Sequence, residues 1–123
     1  GDKLLYCSGC GPQIDGTSID GKLGQDLTVE QGQQAAYRCM LNLLANLEAK
    51  LGDLNRIKRF VKVLAFVNSA DDFTMQPMVV NGGSQLLIDL FGEEGGLPAR
   101  TAIGTNSTPG NIACEIEMLV EYE

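Results

Sequence analysis

The fold of this 123-residue chain is decided by one stretch near its middle, Phe60-Val61-Lys62-Val63-Leu64-Ala65-Phe66-Val67. Its β-branched and aromatic content predicts a long central strand, which we place from Arg56 to Asn68. Apolar residues fall on both faces of that strand, so both faces of its sheet need a cover. Helices of the chain itself can cover one face, and the other face favours burial against another subunit.

A capping box begins the helical segment before the central strand. In Thr28-Val29-Glu30-Gln31, Thr28 suits the N-cap and Gln31 can reach back to it. Gly52 supplies the C-terminal stop. Between these points, apolar residues recur at three- and four-residue spacing and form one stripe: Ala36, Cys39, Met40, Leu43, Leu44, Leu47 and Leu51. The sequence therefore predicts a long helix that packs this stripe on the sheet.

A second helical pattern follows the central strand. It runs from Met78 to Phe91, after a turn and helix cap at Ser69 to Asp72. Gly82-Gly83 weakens its first turns, because glycine is a poor helix former. The glycine-rich segment from Gly92 to Gly96 ends it. We expect this helix to lie beside the first one.

Three further strands complete the predicted sheet. The first, Leu4 to Cys7, stops at Ser8-Gly9, and a loop from Gly11 to Gly24 follows with room for a small hairpin. Another strand, Ala99 to Gly104, is entered through a proline. The last, Ile112 to Tyr122, alternates apolar residues with glutamates. The order β, α, β, α, β, β predicts one α+β domain over residues 1–123, with two helices on one sheet face.

Composition and charge disfavour two classes of partner. The formal net charge of -7 disfavours nucleic acid, because proteins that bind phosphate backbones present a basic stripe. No stretch approaches the roughly 18 consecutive apolar residues of a membrane span, and the start lacks the pattern of a signal peptide. A cytoplasmic protein is the default expectation. An organelle is not excluded, because a targeting segment before Gly1 would be invisible.

The chain has four cysteines and no histidine. Without histidine, a His-containing catalytic triad, a His-bearing zinc site and a His general base are all excluded. Cys7 and Cys10 have CxxC spacing, yet no second pair completes a metal site, and glycines beside them indicate a turn. Cys39 and Cys114 suit small core positions. We therefore expect reduced structural thiols and no metal site.

Several motifs carry a family resemblance over nearly the whole chain. They are Ser8-Gly9 at a strand end, Phe66-Val67 before Asp72-Phe73, Pro98-Ala99-Arg100-Thr101-Ala102-Ile103-Gly104, and Cys114-Glu115-Ile116-Glu117-Met118. In order and spacing, the sequence resembles the RidA/YjgF family, whose enzymes are also called enamine/imine deaminases or the endoribonuclease L-PSP family. The resemblance implies a chorismate-mutase-like fold with a mixed sheet. It also implies a homotrimer whose sheets form a central barrel, with clefts between subunits.

The resemblance also implies an activity and a set of site residues. Archetypal members hydrolyse reactive enamines and imines, such as 2-aminoacrylate, to 2-keto acids and ammonia, without metal or organic cofactor. Arg100 matches the arginine that binds the substrate carboxylate, a task suited to its planar fork of donors. An ion pair with a nearby glutamate is the competing interpretation. Asn81 matches a cleft asparagine, with capping as its alternative, and backbone groups of Thr101 and Ala102 are expected to contact substrate.

Two residues are expected to direct the attacking water. Glu115 matches the family's strand glutamate, which positions or activates water. Glu117 competes for this role because it shares the strand face with Glu115. Ser8 matches the serine of the Ser-Gly turn, where it either bonds substrate or water or only caps the turn.

Two departures from the family pattern suggest a divergent subgroup. Ala102 stands where many members have cysteine, and the N-terminal segment with a cleft tyrosine does not precede Ser8. Tyr6 lies too close to Ser8 to replace that tyrosine. Two functions follow from the sequence: a hydrolase of enamines and imines, or a non-catalytic trimer that binds a small carboxylate or metabolite in the same cleft.

Overall fold

The computed structural model of the chain describes residues 3–123, and its elements follow the predicted order. Two short 3-10 turns, Leu54–Arg56 and Pro109–Asn111, precede β2 and β4. The main elements are β1 (Lys3–Cys10), α1 (Val29–Leu51), β2 (Ile57–Asn68), α2 (Gln76–Gly96), β3 (Ala99–Thr105) and β4 (Cys114–Tyr122).

The four strands form one mixed sheet in the order β1-β4-β2-β3. β2 and β3 are parallel and are joined through α2, whereas β4 runs antiparallel to both β1 and β2. Both helices lie on one face, with α1 over β1 and β4 and α2 over β2 and β3. The predicted α+β class, with two helices on one face of a mixed sheet, is confirmed. β1 and β3 are the two edges.

The capping box of α1 is formed as predicted. The Thr28 hydroxyl accepts a bond from the Gln31 backbone N–H, and the Gln31 side chain accepts one from the Thr28 N–H. Gly52 ends the helix with φ 85°, in the left-handed region that glycine adopts without strain. The whole predicted apolar stripe is buried against the sheet.

The start of α2 differs from the prediction. The helix begins at Gln76 with Met75 as its N-cap, and no side chain caps it. Ser69 cannot serve as the cap because its hydroxyl donates to Val67 and its backbone N–H to Thr105. Pro77 instead favours the first helical turn through its fixed φ. Near the other end, Gly92 has φ 73° and interrupts the helix, as expected for that glycine-rich segment.

The paired glycines of α2 have a packing role that propensity alone does not indicate. A Cβ at Gly82 would overlap the backbone carbonyl of Gln33 in α1, and one at Gly83 would lie 2.9 Å from the Ala36 oxygen. The two helices therefore approach each other at these glycines. The Gln33 side chain also donates to the Met78 carbonyl at 2.9 Å. Close packing offsets the weak helix propensity of this segment.

The face of the sheet opposite the helices is rich in apolar groups. Leu64 and Phe66 of β2 and Leu119 of β4 are half-buried there. Ile103 is 49% exposed and Tyr6 is 80% exposed on the same side, opposite Phe66 and Leu119 in the strand register. No element within residues 3–123 covers these groups. Within the same residues, no helix is long and apolar enough to cross a membrane.

Candidate functional site

Arg100 lies on edge strand β3 and points to the side of the sheet that α2 covers. It pairs with buried Val63 of β2, and paired residues project from the same face. Its Nη1 donates to Oδ1 of Asn81 at 2.8 Å and to Oγ of Ser84 at 3.0 Å. Both acceptors belong to α2. Asn81 and Ser84 are three residues apart, which places them about one helical turn apart on one face of α2. Both can therefore contact the same nitrogen, Nη1 of Arg100.

The predicted ion-pair alternative for Arg100 is not found within residues 3–123. The one salt bridge described there joins Arg59 and Glu121 at 2.7 Å. Both partners of Arg100 are neutral, and its Nε and Nη2 have no hydrogen-bond partner among these residues. The half-buried guanidinium therefore keeps an unneutralised charge and an unused edge of donors.

A cavity of about 420 Å³ adjoins Arg100 at the β3 edge. This volume falls in the range of small-molecule sites. Its polar lining comes from α2, and its apolar wall includes residues of the segment that leads into β3. The lining residues beside Arg100 are Asn81, Ser84, Gln85, Ile88, Leu97 and Pro98.

Thr101 and Ala102 do not share the cavity of Arg100. Thr101 projects to the open face and accepts a bond from Lys62 Nζ at 2.9 Å, whereas Ala102 packs against the core. Both lie on β3, which has no neighbouring strand on its outer side within residues 3–123. Backbone groups on that side are free to bond a ligand or another chain.

The Ser8-Gly9 pair forms a β-bulge at the other edge of the sheet. Cys7 pairs with Met118 and Cys10 with Ile116, so Ser8 and Gly9 together stand opposite Glu117. The prediction that this strand stops at Ser8-Gly9 was wrong, since β1 continues to Cys10. A glycine beside a polar residue resembles a strand end, although here it accommodates the extra residue of a bulge.

Glu115 and Glu117 both project from the open face of β4, as their two-residue spacing predicts. A Cβ at Gly9 would overlap the Oε1 of Glu115, so the bare glycine leaves the space that this carboxylate occupies. Glu117 and Ser8 line a cavity of about 460 Å³ together with Tyr6 and Lys62. Lys62 was not singled out from the sequence as a site residue, because its run of basic residues suggested a solvated face.

The predicted site residues form two separate groups within one chain. Arg100 and Asn81 lie at the β3 edge on the helix side, whereas Ser8 and Glu115 lie at or beside the β1 edge. Arg100 projects from the helix side of the sheet, whereas Glu115 projects from the open face two strand spacings away, and Ser8 lies on β1, three strand spacings or about 14 Å away. A small substrate cannot touch both groups within one subunit.

Ser84 was not predicted from the sequence as a site residue. It stands three residues after Asn81 in a helical pattern, a spacing that puts both on one helix face. That spacing is the signal by which it could have been found. Serine is so common on helix surfaces that the spacing becomes informative only once Arg100 is known to lie opposite.

The cysteines behave as structural thiols. Cys39 and Cys114 are fully buried, with their Sγ atoms 3.4 Å apart. The hydrogen bond with Cys114 and burial raise the pKa of Cys39. Burial also raises the pKa of Cys7 and Cys10, which disfavours the reactive thiolate. The CxxC pair spans the β1 bulge rather than opening a helix, unlike a redox motif.

Comparisons with known proteins identify the family. Residues 1–122 match the model described as "YjgF/chorismate_mutase-like, putative endoribonuclease". Protein TCP17 of Trypanosoma cruzi is 47% identical over 118 residues, covering 95% of this chain and 74% of that protein. The crystal structure of Atu1372, a protein of unknown function from Agrobacterium tumefaciens, has a TM-score of 0.96 and 40% identity, over 100% of this chain and 78% of that one.

A more distant structure shares the fold. Escherichia coli TdcF, crystallised with bound serine, has a TM-score of 0.62 and 18% identity, over 99% of this chain and 83% of that one. The family model matches nearly every residue, and the identity to Protein TCP17 extends over 95% of this chain. This chain belongs to the YjgF/chorismate mutase-like family.

Proposed function

We propose that the protein hydrolyses small 2-imino acids and their enamine tautomers, of the 2-aminoacrylate type, to 2-keto acids and ammonia. Arg100 carries the proposal, because its guanidinium has two neutral partners and no carboxylate partner within residues 3–123. A half-buried arginine with a free edge of donors is suited to a substrate carboxylate. Serine, the ligand of the distant relative TdcF, also has a carboxylate beside a nitrogen-bearing carbon.

The reaction needs an anchor, a water and a proton acceptor. Arg100 holds the carboxylate, and Glu115 accepts a proton from water as its oxygen bonds to the imine carbon. The C=N double bond becomes a single bond and its nitrogen takes up a proton. The resulting carbinolamine then loses ammonia to leave the 2-keto acid. Ser8 directs the water through its hydroxyl, and Glu117 is the alternative acceptor on the same face.

The site forms between subunits of a homotrimer. Two observations support this assembly: Arg100 and Glu115 project from opposite faces of the sheet within one chain, and the open face carries apolar groups that no element within residues 3–123 covers. Joining the β3 edge of one subunit to the β1 edge of the next would bring the two groups together. The three open faces would then pack on one another in a central barrel. Thr101 and Ala102 belong to the edge strand β3, whose outward backbone groups have no partner strand within residues 3–123 and would face the same cleft.

A coupled assay tests the proposal. A pyridoxal-phosphate dehydratase generates 2-aminoacrylate or 2-iminobutyrate, and the rate of keto-acid formation is followed with and without the protein. Arg100→Ala is expected to lower kcat/KM about 30- to 5,000-fold, because removing one partner of a desolvated charge pair costs about 2–5 kcal/mol.

The control is Lys58→Ala, which removes an exposed cation outside both cavities and is expected to keep full activity. Equal rates for wild type and Arg100→Ala would contradict the proposal.

A further inference from the structure

The hydrogen bonds around Arg100 assign a role to a residue that the family motifs do not indicate. Nη1 carries two N–H groups, and Asn81 and Ser84 provide one acceptor each. The two distances, 2.8 Å and 3.0 Å, are those of ordinary hydrogen bonds. The donors of Nη1 are therefore fully used within the protein.

We propose that Ser84 is a positioning residue that, together with Asn81, fixes the Arg100 guanidinium through Nη1 and leaves Nε and Nη2 for the ligand carboxylate. The inference rests on the proposed function, since it assumes a carboxylate ligand at Arg100. It also specifies the geometry. The carboxylate binds side-on to the Nε and Nη2 edge, because the end-on edge formed by both Nη atoms is already occupied on one side.

The chemical nature of the two acceptors supports this role. An amide oxygen and a hydroxyl orient the guanidinium without neutralising its charge, whereas a carboxylate at either place would form an internal ion pair. Arg100 lies on an edge strand with a long and flexible side chain. Two bonds from one helix remove that freedom before the ligand binds, which lowers the entropy cost of binding.

The position of Ser84 supports the same conclusion. It is half-buried and lines the Arg100 cavity, and Ile88 continues the same wall of α2. Ser84 directly follows Gly82 and Gly83, the two glycines at which α2 packs closely against α1. The helix that presents Ser84 is thus held against α1, so that the hydroxyl keeps a fixed position relative to β3.

The test compares three variants of the full chain. Binding of 2-oxobutyrate, the stable product of 2-iminobutyrate hydrolysis, is measured by calorimetry for wild type, Ser84→Ala, Ser84→Thr and Ser84→Asp. We expect Ser84→Ala to weaken binding about tenfold, as for one hydrogen bond to a charged group. Ser84→Thr keeps the hydroxyl and is expected to restore binding. Ser84→Asp is expected to abolish it by pairing with Arg100.

A second measurement does not depend on turnover. Nitrogen-15 NMR of the Arg100 side chain is expected to resolve two Nη signals in the wild type, because bonded Nη1 rotates slowly. In Ser84→Ala these signals are expected to broaden or merge. If Ser84 only stabilised the fold, every variant would have a shifted melting temperature, and Ser84→Thr would not restore binding.

The outcomes separate this inference from the hydrolase proposal. Equal affinity of wild type and Ser84→Ala, or averaged Nη signals in the wild type, overturns the role of Ser84. No binding of 2-oxobutyrate by the wild type overturns the carboxylate role of Nε and Nη2. Tenfold weaker binding in Ser84→Ala, with no imine hydrolysis by the wild type, supports the inference and refutes the hydrolase.

Discussion

At the β3 edge a single arginine is held by two neutral side chains of α2, whereas at the β1 edge a bulge leaves space for the carboxylate of Glu115. The first edge offers a cation with free donors. The second offers acceptors, with Glu115 and Glu117 on one strand face and the Ser8 hydroxyl nearby. Their charges are complementary, yet within one chain Arg100 and the glutamates project from opposite faces of the sheet, on strands two spacings apart.

The two edges also depend on different parts of the fold. Arg100 is positioned by side-chain hydrogen bonds from a helix, and that helix is positioned by glycine contacts with α1. Glu115 is positioned by backbone, through a β-bulge and the missing side chain of Gly9. A substitution can therefore damage one edge and leave the other intact, which makes the two edges separable by experiment.

Mixing two inactive variants tests whether the edges act together across subunits. Arg100→Ala and Glu115→Gln are each expected to lose nearly all activity. After unfolding and refolding as an equimolar mixture, about one quarter of wild-type activity is expected, because one cleft in four combines an intact Arg100 with an intact Glu115. Keto-acid formation provides the measurement.

Each variant refolded alone serves as the control for that mixture. If the mixture is as inactive as its components while wild type recovers fully, the two residues do not meet between subunits.

Gly9→Ala acts on the β1 edge alone. The new Cβ overlaps the Glu115 carboxylate, which has to move, and displacing a reacting group by about 1 Å can cost up to 100-fold in rate. We expect kcat to fall about 10- to 100-fold while the affinity for 2-oxobutyrate stays near wild type, since Arg100 is untouched. Steady-state kinetics and calorimetry measure the two effects.

Gly11→Ala is the matched control for Gly9→Ala. Its Cβ would meet the flexible end of the Ile112 side chain instead of a carboxylate. If kcat fell less in Gly9→Ala than in Gly11→Ala, the space that Gly9 leaves for the Glu115 carboxylate would not matter for catalysis.

Gly82→Ala acts on the support of the β3 edge. The added Cβ overlaps the Gln33 carbonyl, which is backbone and cannot rotate away, so α2 has to shift from α1. We expect a loss of about 1–3 kcal/mol in the free energy of unfolding, the usual cost of overpacking. Urea denaturation measures it. Affinity for 2-oxobutyrate is expected to fall as well, because α2 carries both acceptors for Arg100.

Gly95→Ala is the control, with its nearest atoms at 3.5 Å. If the free energy of unfolding of Gly82→Ala equalled that of wild type, α2 could move away from α1 without loss of stability. The contact at Gly82 would then not hold Ser84 in position.

Local patterns in the sequence were sufficient for much of the fold. The capping box at Thr28, the stop at Gly52 and the apolar stripe between them predicted α1 correctly, because caps and helical periodicity act over a few residues. The apolar run from Phe60 to Val67 likewise predicted the central strand correctly, since β2 lies between β4 and β3. The start of α2 was misjudged because Ser69, a good cap by type, bonds to Val67 and Thr105 instead.

For the candidate site, sequence and structure contributed different things. The sequence by itself provided the residue types: an arginine in a family motif, two glutamates on one strand face, a Ser-Gly pair and no histidine. Tertiary structure alone decided that Arg100 faces α2, that Ser84 joins Asn81 in holding it, and that Ser8-Gly9 is a bulge rather than a strand end. These features depend on strand register and on helix contacts between residues far apart in the chain, which no local pattern encodes.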